Sequence, residues 1–207
     1  MLKDALELLL DFVKIFYTKG VWSFVILFIY LLGLGYLLLP SPTSINDFPP
    51  LPDSKTSQLE GDTIQNPNIA AYFSNFRREY ITQYYWEYLK DWSYFGLKLP
   101  VFKINHPPER AFTFIRDQQE STALEEYYVP FKGSFFVNVY DPIIYNEIRR
   151  RPLDNENSYF VYEGEIYDTK TTLRYYPTSV FGRIITYILT IFSVYLFIRL
   201  FRKYLKG

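Results

Sequence analysis

VWSFVILFIYLLGLGYLLL, residues Val21–Leu39, is a run of nineteen amino acids without a charged side chain. At a rise of about 1.5 Å per residue, a helix of this length nearly crosses a bilayer core of about 30 Å. A second apolar stretch, Val180–Leu200, contains Arg183 and Arg199 near its ends, where long cationic side chains can reach the head groups. The two stretches predict two transmembrane helices, over residues 20–39 and 178–201.

The positions of the basic residues predict how these helices are oriented. Three lysines precede the first apolar stretch, whereas Lys55 is the only basic residue in about twenty positions after it. The tail 202–207 carries three basic residues and no acidic one. By the positive-inside rule, we expect both termini in the cytoplasm, with 202–207 as a basic cytoplasmic tail and residues 40–178 outside the cytoplasm.

Two other interpretations of the apolar stretches are less favourable. A cleaved signal peptide would have a basic leader and a small-residue cleavage site. Residues 1–19 contain acidic side chains, however, and the sequence after Leu39 begins Pro40-Ser41-Pro42. A buried hairpin of a soluble protein would contain uncharged runs that are rare in soluble cores. We therefore expect an uncleaved membrane anchor.

Two further segments flank the first apolar stretch. Residues 1–19 place charged and apolar side chains at helical spacing, which predicts an amphipathic helix in the cytoplasmic interface or on a partner subunit. Residues 40–67 contain six prolines among polar side chains, without apolar periodicity. This composition predicts an extended Pro-rich spacer, which leaves residues 68–177 as a folded extracytoplasmic domain.

The first half of this domain has the pattern of helices. One helix is predicted from Asn68 to Phe95, with aromatic side chains along one side, and a second from Pro107 or Pro108 to about Tyr128. Such an aromatic stripe is either core or an exposed binding face, and core packing is the commoner role.

After Gly133 the periodicity changes to that of strands. Phe135–Tyr140 and Thr171–Tyr176 are predicted strands, a short helix is predicted over Ile143–Arg150, and a hairpin turns about Glu163-Gly164. Two main helices followed by a small antiparallel sheet indicate the α+β class.

The residues that carry chemistry predict no catalytic, cofactor or metal site. The chain has no cysteine and one histidine, His106, so thiol chemistry, disulfides and multi-histidine metal sites are excluded. Asp117 and Glu120, beside Arg116, share one predicted helix and are the candidates for carboxylate-dependent hydrolysis. A solvated, charged helix face is the simpler interpretation.

Arg149, Arg150 and Arg151 form the sharpest basic feature of the middle region. Their guanidinium groups suit contact with an anion or a lipid head group, although acidic residues on both sides offset their charge. A solvated helix end is the alternative. The zero net charge and the acidic middle region argue against binding of nucleic acid.

Small and hydroxylated residues in the two apolar stretches predict helix packing inside the membrane. Such residues let helices approach closely and form hydrogen bonds across the interface. Alternatively, the hydroxyl groups bond to their own helix backbone. The predicted packing residues are Gly33, Gly35, Thr186, Thr190 and Ser193.

These observations predict an integral membrane protein without a cofactor. The expected function is that of a non-enzymatic scaffold or accessory subunit of a cell-envelope complex, with the lipid bilayer and a membrane or envelope protein as its partners. An extracytoplasmic ligand-sensing domain that signals through a partner is the first alternative. A carboxylate-dependent envelope hydrolase is the second.

Overall fold

The computed structural model describes residues 21–60, 62, 67–107, 121–150 and 158–206, and the chain divides into two compact units. One unit is Ser41–Pro177, and the other combines Met1–Pro40 with Thr178–Gly207. The helices of the described residues are α1 (Val21–Leu38), α2 (Arg78–Lys90), α3 (Pro142–Arg149) and α4 (Val180–Lys206). A 3₁₀ turn covers Ile45–Asp47.

Ten short strands complete the described elements. They are β1 (Lys55–Thr56), β2 (Ile69–Ser74), β3 (Ser93–Tyr94), β4 (Leu97–Lys98), β5 (Phe102–His106), β6 (Ala123–Val129), β7 (Gly133–Tyr140), β8 (Phe160–Tyr162), β9 (Glu165–Tyr167) and β10 (Thr169–Pro177).

Six of these strands form one antiparallel sheet in the order β1-β2-β10-β7-β6-β5. The pairs β3–β4 and β8–β9 form two separate hairpins. The expected mixture of helices with an antiparallel sheet is therefore confirmed, although the sheet is larger than the small one predicted.

Among the described residues, one helix has the length and apolar composition of a membrane span. It covers Val180–Leu205, within α4, whereas the apolar part of α1, Phe24–Leu38, is shorter. The described residues therefore give one candidate span, in the C-terminal helix, instead of the two flanking spans that were predicted. The predicted helix over 1–19 lies outside the described residues.

The core of the sheet unit is aromatic. The α2 helix packs on one face of the sheet, where Tyr85 and Tyr127 are completely buried together with Phe135 and Val137. Of the predicted aromatic stripe, Phe76, Tyr84, Trp86 and Trp92 pack against this core, whereas Tyr80 and Tyr88 are exposed. Burial of several large rings supplies most of the apolar area that stabilises a unit of this size.

The predicted helix over Asn68–Phe95 is wrong at both ends. Residues 69–74 form β2, in which all six residues are buried; Tyr72 lies in the main core on one face, and Phe73 lies against the β8–β9 hairpin on the other. Helix α2 occupies only Arg78–Lys90, and the β3–β4 hairpin follows it. Burial on both faces of a sheet has overridden the local aromatic spacing that suggested a helix.

The second predicted helix is also wrong where it can be compared. Residues 108–120 lie outside the described part, but Ala123–Val129 form strand β6 between β5 and β7. This strand contains two adjacent glutamates, Glu125 and Glu126. In the strand they point to opposite faces of the sheet, and each has polar partners there.

The described part of residues 40–67 packs against the sheet and does not form the extended spacer that was predicted. Ile45, Phe48 and Leu51 are buried in the core, and β1 pairs with β2 at the sheet edge. The backbone N–H of Thr43 donates to the Asp47 carboxylate over 2.7 Å, which fixes the 3₁₀ turn. The prolines lie in a packed loop, because the apolar residues between them are buried against the sheet.

Elements after Gly133 are confirmed. Strands β7 and β10 and the β8–β9 hairpin coincide with the predicted strands. Helix α3 begins where Asp141 accepts hydrogen bonds from the N–H groups of Ile143 and Ile144, over 3.0 and 3.1 Å. This N-cap geometry explains why the short helix starts beside Pro142.

The strand register defines two ends of the sheet unit. At the end where β10 finishes, Pro177 lies opposite Gly133, and we call this the exit end because α4 follows within three residues. At the far end, β10 begins beside the end of β2. Helix α2 runs from the far end, where Arg78 contacts the Thr122 carbonyl oxygen, toward the exit end. The β3–β4 hairpin therefore follows at the exit end, whereas the β8–β9 hairpin precedes β10 at the far end.

Candidate interaction site

The β8–β9 hairpin is fixed to the sheet through aromatic side chains on its inner face. The Phe73 ring of β2 lies 4.6 Å from the Tyr162 ring and 5.9 Å from the Tyr167 ring, measured between centroids. The Phe160 ring lies 5.5 Å from the same residue. This cluster is buried or partly buried, so the orientation of the hairpin is set by packing.

The tip of the hairpin is fixed by polar contacts. Glu163 and Gly164 both have positive φ values, 52° and 85°, as in the tight turns that match the twist of paired strands. The Glu163 carboxylate lies 2.7 Å from the Lys55 ammonium of β1. The Tyr162 hydroxyl accepts a hydrogen bond from the Gln58 N–H over 2.9 Å. Strand β1 and the loop after it therefore hold one side of the hairpin.

The outer face of the hairpin presents an exposed apolar pair. Val161 and Ile166 are directly opposite each other in the register, and they are 66% and 59% exposed. Because side chains alternate along a strand, the inward rings force these two residues outward. The pair cannot turn into the core without breaking the contacts with Phe73. A fixed, exposed apolar pair is suited to contact with another protein.

A polar cluster on the sheet links β5, β6 and β7. The Ser134 hydroxyl donates to one oxygen of Glu126 over 2.7 Å, and the other oxygen lies 3.1 Å from Nε2 of buried His106. The carboxylate thus stands between the serine and the histidine. In a Ser-His-Asp triad the histidine contacts the serine hydroxyl and the carboxylate orients the histidine, which is a different order of contacts. Here the carboxylate serves as a cross-strand bridge.

A second polar cluster connects α2 to the sheet. The Tyr127 hydroxyl contacts the Glu125 carboxylate and lies 2.8 Å from the Thr82 carbonyl oxygen of α2. The Lys103 ammonium lies 2.9 Å from Glu125 and within 6 Å of the Trp86 and Tyr127 ring centroids. Burial, and then the hydrogen bond and charge of Glu125, raise the pKa of Tyr127, so its phenol stays protonated. Within the described part of the chain, no three His, Asp or Glu side chains are grouped to hold a metal.

The predicted packing residues of the apolar helices lie in different surroundings. The Tyr30 and Tyr187 rings stack with centroids 5.4 Å apart, and the Tyr187 hydroxyl donates to the Tyr30 carbonyl oxygen over 3.2 Å. A Cβ atom at Gly33 would overlap the Tyr187 side chain, whereas one at Gly35 would meet nothing within 4 Å. Of the two glycines, Gly33 is thus the one that makes room for the opposite helix.

The hydroxylated residues of α4 bond to their own helix. Thr190 donates to the Thr186 carbonyl oxygen over 2.7 Å, and Ser193 donates to that of Leu189 over 2.8 Å. All three predicted residues are exposed. The side-chain bonds of Thr190 and Ser193 correspond to the alternative considered for this stripe, because a serine or threonine in a helix can satisfy its hydroxyl locally.

The basic run ends α3. Arg149 and Arg150 are exposed, and the Arg149 guanidinium lies 5.6 Å from the Tyr145 ring centroid. Arg150 has a φ of 54° and donates its N–H to backbone carbonyl oxygens of the last turn, so it is the C-cap. Arg151 lies outside the described residues, as do Arg116, Asp117 and Glu120 of the proposed hydrolytic group.

Sequence reasoning found the β8–β9 hairpin but missed its exposed pair. The alternation placed Val161 and Ile166 on one face and the aromatic residues on the other. Both faces of the hairpin carry apolar or aromatic side chains, so the alternation does not show which face is buried. The Phe73 ring decides the choice, and Phe73 itself was assigned to a helix.

Comparisons with known proteins found no relative: no family model, no curated protein and no solved structure matches this chain.

Proposed function

We propose that this protein is a non-enzymatic scaffold or accessory subunit of a cell-envelope complex, anchored in the membrane by its two apolar helices. The observation that carries the proposal is the fixed apolar pair of Val161 and Ile166 on the β8–β9 hairpin. A membrane or envelope protein would cover this pair. The exposure of two branched aliphatic side chains on a rigid hairpin has no role in the fold, whereas burial against a partner would be favourable.

The anchoring part of the proposal rests on the contact between α1 and α4. If α4 spans the bilayer, α1 lies at the same depth, because Tyr30 stacks on Tyr187 and Gly33 receives that side chain. We therefore propose that both 20–39 and 178–201 cross the membrane. The basic tail then favours cytoplasmic termini, with 40–178 on the opposite side.

The packing of the aromatic residues favours a scaffold over a ligand sensor. Tyr72, Phe73 and Tyr85, from the segment that would line a ligand pocket, are buried among other side chains. A pocket in that segment would have to displace core rings. The outward-facing hairpin is therefore the better candidate for recognition.

Photo-crosslinking in membranes of the source cells tests this proposal. A benzophenone amino acid is placed at Val161 or Ile166, with exposed Glu87 of α2 as the matched control. We expect one and the same membrane or envelope protein to be crosslinked from 161 and 166 but not from 87. Val161→Asp should then abolish the crosslink from 166. No protein adduct from either position, or the same adducts from 87, would contradict the proposal.

A further inference from the structure

We infer that the exit end of the sheet unit is a second membrane-binding surface, which enters the interfacial layer of the lipid bilayer. This inference rests on the proposed function to the extent that α4 must span the membrane. It adds a peripheral contact made by the folded unit itself.

The first observation is a row of exposed aromatic side chains across the sheet. The register places Phe102 opposite Tyr128, Tyr128 opposite Ser134, and Ser134 opposite Tyr176. These residues share one face of the sheet, in the row next to Pro177. All three rings are exposed. Four strands thus bring three aromatic residues, distant in sequence, to one line at the exit end.

The second observation is the tip of the β3–β4 hairpin at the same end. Phe95 and Leu97 are 96% and 75% exposed. Phe95 has a φ of 51° and Gly96 a φ of 80°, so a bulky aromatic residue occupies a left-handed position. Such a position favours Gly, which has no Cβ, or Asn and Asp, whose short polar side chains can form local hydrogen bonds. The fold therefore does not account for phenylalanine at this position.

The hairpin is held in place by contacts at its base. The Leu99 N–H donates to the Trp92 carbonyl oxygen over 2.9 Å, and the Lys98 ammonium lies 2.5 Å from the Asp91 carboxylate. Lys98 and Asp91 neutralise each other next to the apolar tip. A neutral, aromatic tip of this kind suits the interfacial layer, where aromatic rings are enriched in membrane proteins.

The short connection to α4 identifies the occupant as lipid. Only Thr178 and Ser179 separate β10 from the helix, and the four residue steps from Tyr176 to Val180 extend at most about 14 Å. The Tyr176 end of the aromatic row therefore lies within this distance of the start of α4. A head-group layer of about 5–8 Å on each side of the hydrocarbon core is within this reach.

Nitroxide labels in full-length protein test the inference, because the chain has no native cysteine. Phe95→Cys and Leu97→Cys report on the exit end, Val161→Cys on the far end, and Ile191→Cys on the middle of α4. The protein is placed in nanodiscs of zwitterionic phosphatidylcholine, and collisions with oxygen and with a water-soluble nickel chelate are compared. Positions 95 and 97 are exposed, so both variants keep the core, and Leu97→Cys is an independent second probe.

We expect oxygen-dominated collisions at 191, a clear shift from nickel toward oxygen at 95 and 97, and nickel-dominated collisions at 161. Nickel-dominated collisions at 95 and 97, with 191 in the bilayer, would overturn this inference and leave the anchoring proposal standing. Nickel access at 191 would overturn the anchoring proposal and this inference together. Oxygen-dominated collisions at 161 as well would also overturn the inference, since the contact would not be specific to the exit end.

Discussion

Phe48 stacks on Phe135, with ring centroids 4.3 Å apart, so a residue from the Pro-rich segment is part of the core of the sheet unit. Tyr175 of β10 lies 4.9 Å from the same Phe48 ring. The chain that leaves α1 is thereby tied to the two central strands of the sheet. This contact predicts that the Pro-rich segment contributes to folding.

Phe48→Ala is expected to lower the free energy of unfolding by about 3–5 kcal/mol, because it removes a buried ring and leaves a cavity. Chemical unfolding of the full chain in nanodiscs, followed by near-ultraviolet circular dichroism, measures the loss. Leu59→Ala, at an exposed position nearby, is the control and should change stability by less than about 0.5 kcal/mol. Equal stability of the two variants would show that the segment is a spacer after all.

The two glycines of α1 provide a matched pair for the contact between the apolar helices. We expect Gly33→Ala to weaken the α1–α4 pair by about 1–3 kcal/mol, because the new methyl group would overlap Tyr187. Gly35→Ala should have no such effect, since its Cβ would meet nothing within 4 Å. Unfolding in mixed detergent micelles gives the two values. A larger loss for Gly35→Ala would contradict the observed helix pairing.

The protonated phenol of Tyr127 predicts a pH dependence on the alkaline side. Burial raises the pKa of Tyr127 above its ordinary value of 10.0, so the folded state retains a proton that the unfolded state loses. The stabilisation is complete below pH about 10 and declines as the pH rises further. Unfolding free energies at pH 8 and pH 11 should therefore differ, with the protein less stable at pH 11.

Tyr127→Phe should make this alkaline decline less steep. At neutral pH the same variant should lose about 0.5–1.5 kcal/mol, the contribution of a typical hydrogen bond such as that to the Thr82 carbonyl oxygen. Exposed Tyr128→Phe serves as the control. An unchanged pH profile in Tyr127→Phe would assign the alkaline loss to other groups, of which Tyr85 is one, because burial raises its pKa as well.

The proposed topology can be measured with single cysteines. Glu87→Cys, at an exposed position of α2 outside the proposed partner surface, should react with a membrane-impermeant maleimide in intact cells. Lys203→Cys, in the basic tail, should react only after the cells are permeabilised, because the positive-inside rule places it in the cytoplasm. The wild-type chain has no cysteine and is the blank. The opposite labelling pattern would reverse the orientation.

The sequence was most informative where local signals and tertiary packing agree. Asp141, before Pro142, caps helix α3 and directly follows strand β7. Glu163-Gly164 favours a tight turn by its local sequence and forms one in the folded unit. These features predicted the second half of the sheet unit. The apolar stretches predicted both α1 and α4, and the crossing of a membrane by these helices remains a prediction.

Sequence reasoning failed where a segment is buried on both of its faces. Tyr72 and Phe73 are neighbours in β2, and both are buried, one against the α2 face and the other against the β8–β9 hairpin. A strand covered on both faces has no alternation of polar and apolar residues. Phe48, likewise, is one apolar residue among prolines, and only the presence of the sheet shows that it is buried. The exposed pair of Val161 and Ile166 could not be distinguished from the inner face for the same reason.

The course of β10 has a mechanical consequence. The β8–β9 hairpin ends at Tyr167, β10 starts at Thr169, and α4 begins three residues after Pro177, so the chain runs from the hairpin through a central strand into the apolar helix. Nine residues of strand cover about 30 Å. A pull on the hairpin would load the eight residue pairs with β7 and the six with β2 in shear, along the strand. Tension applied at the β8–β9 hairpin would therefore reach α4 along β10 and would load these pairs together, instead of opening them one after another.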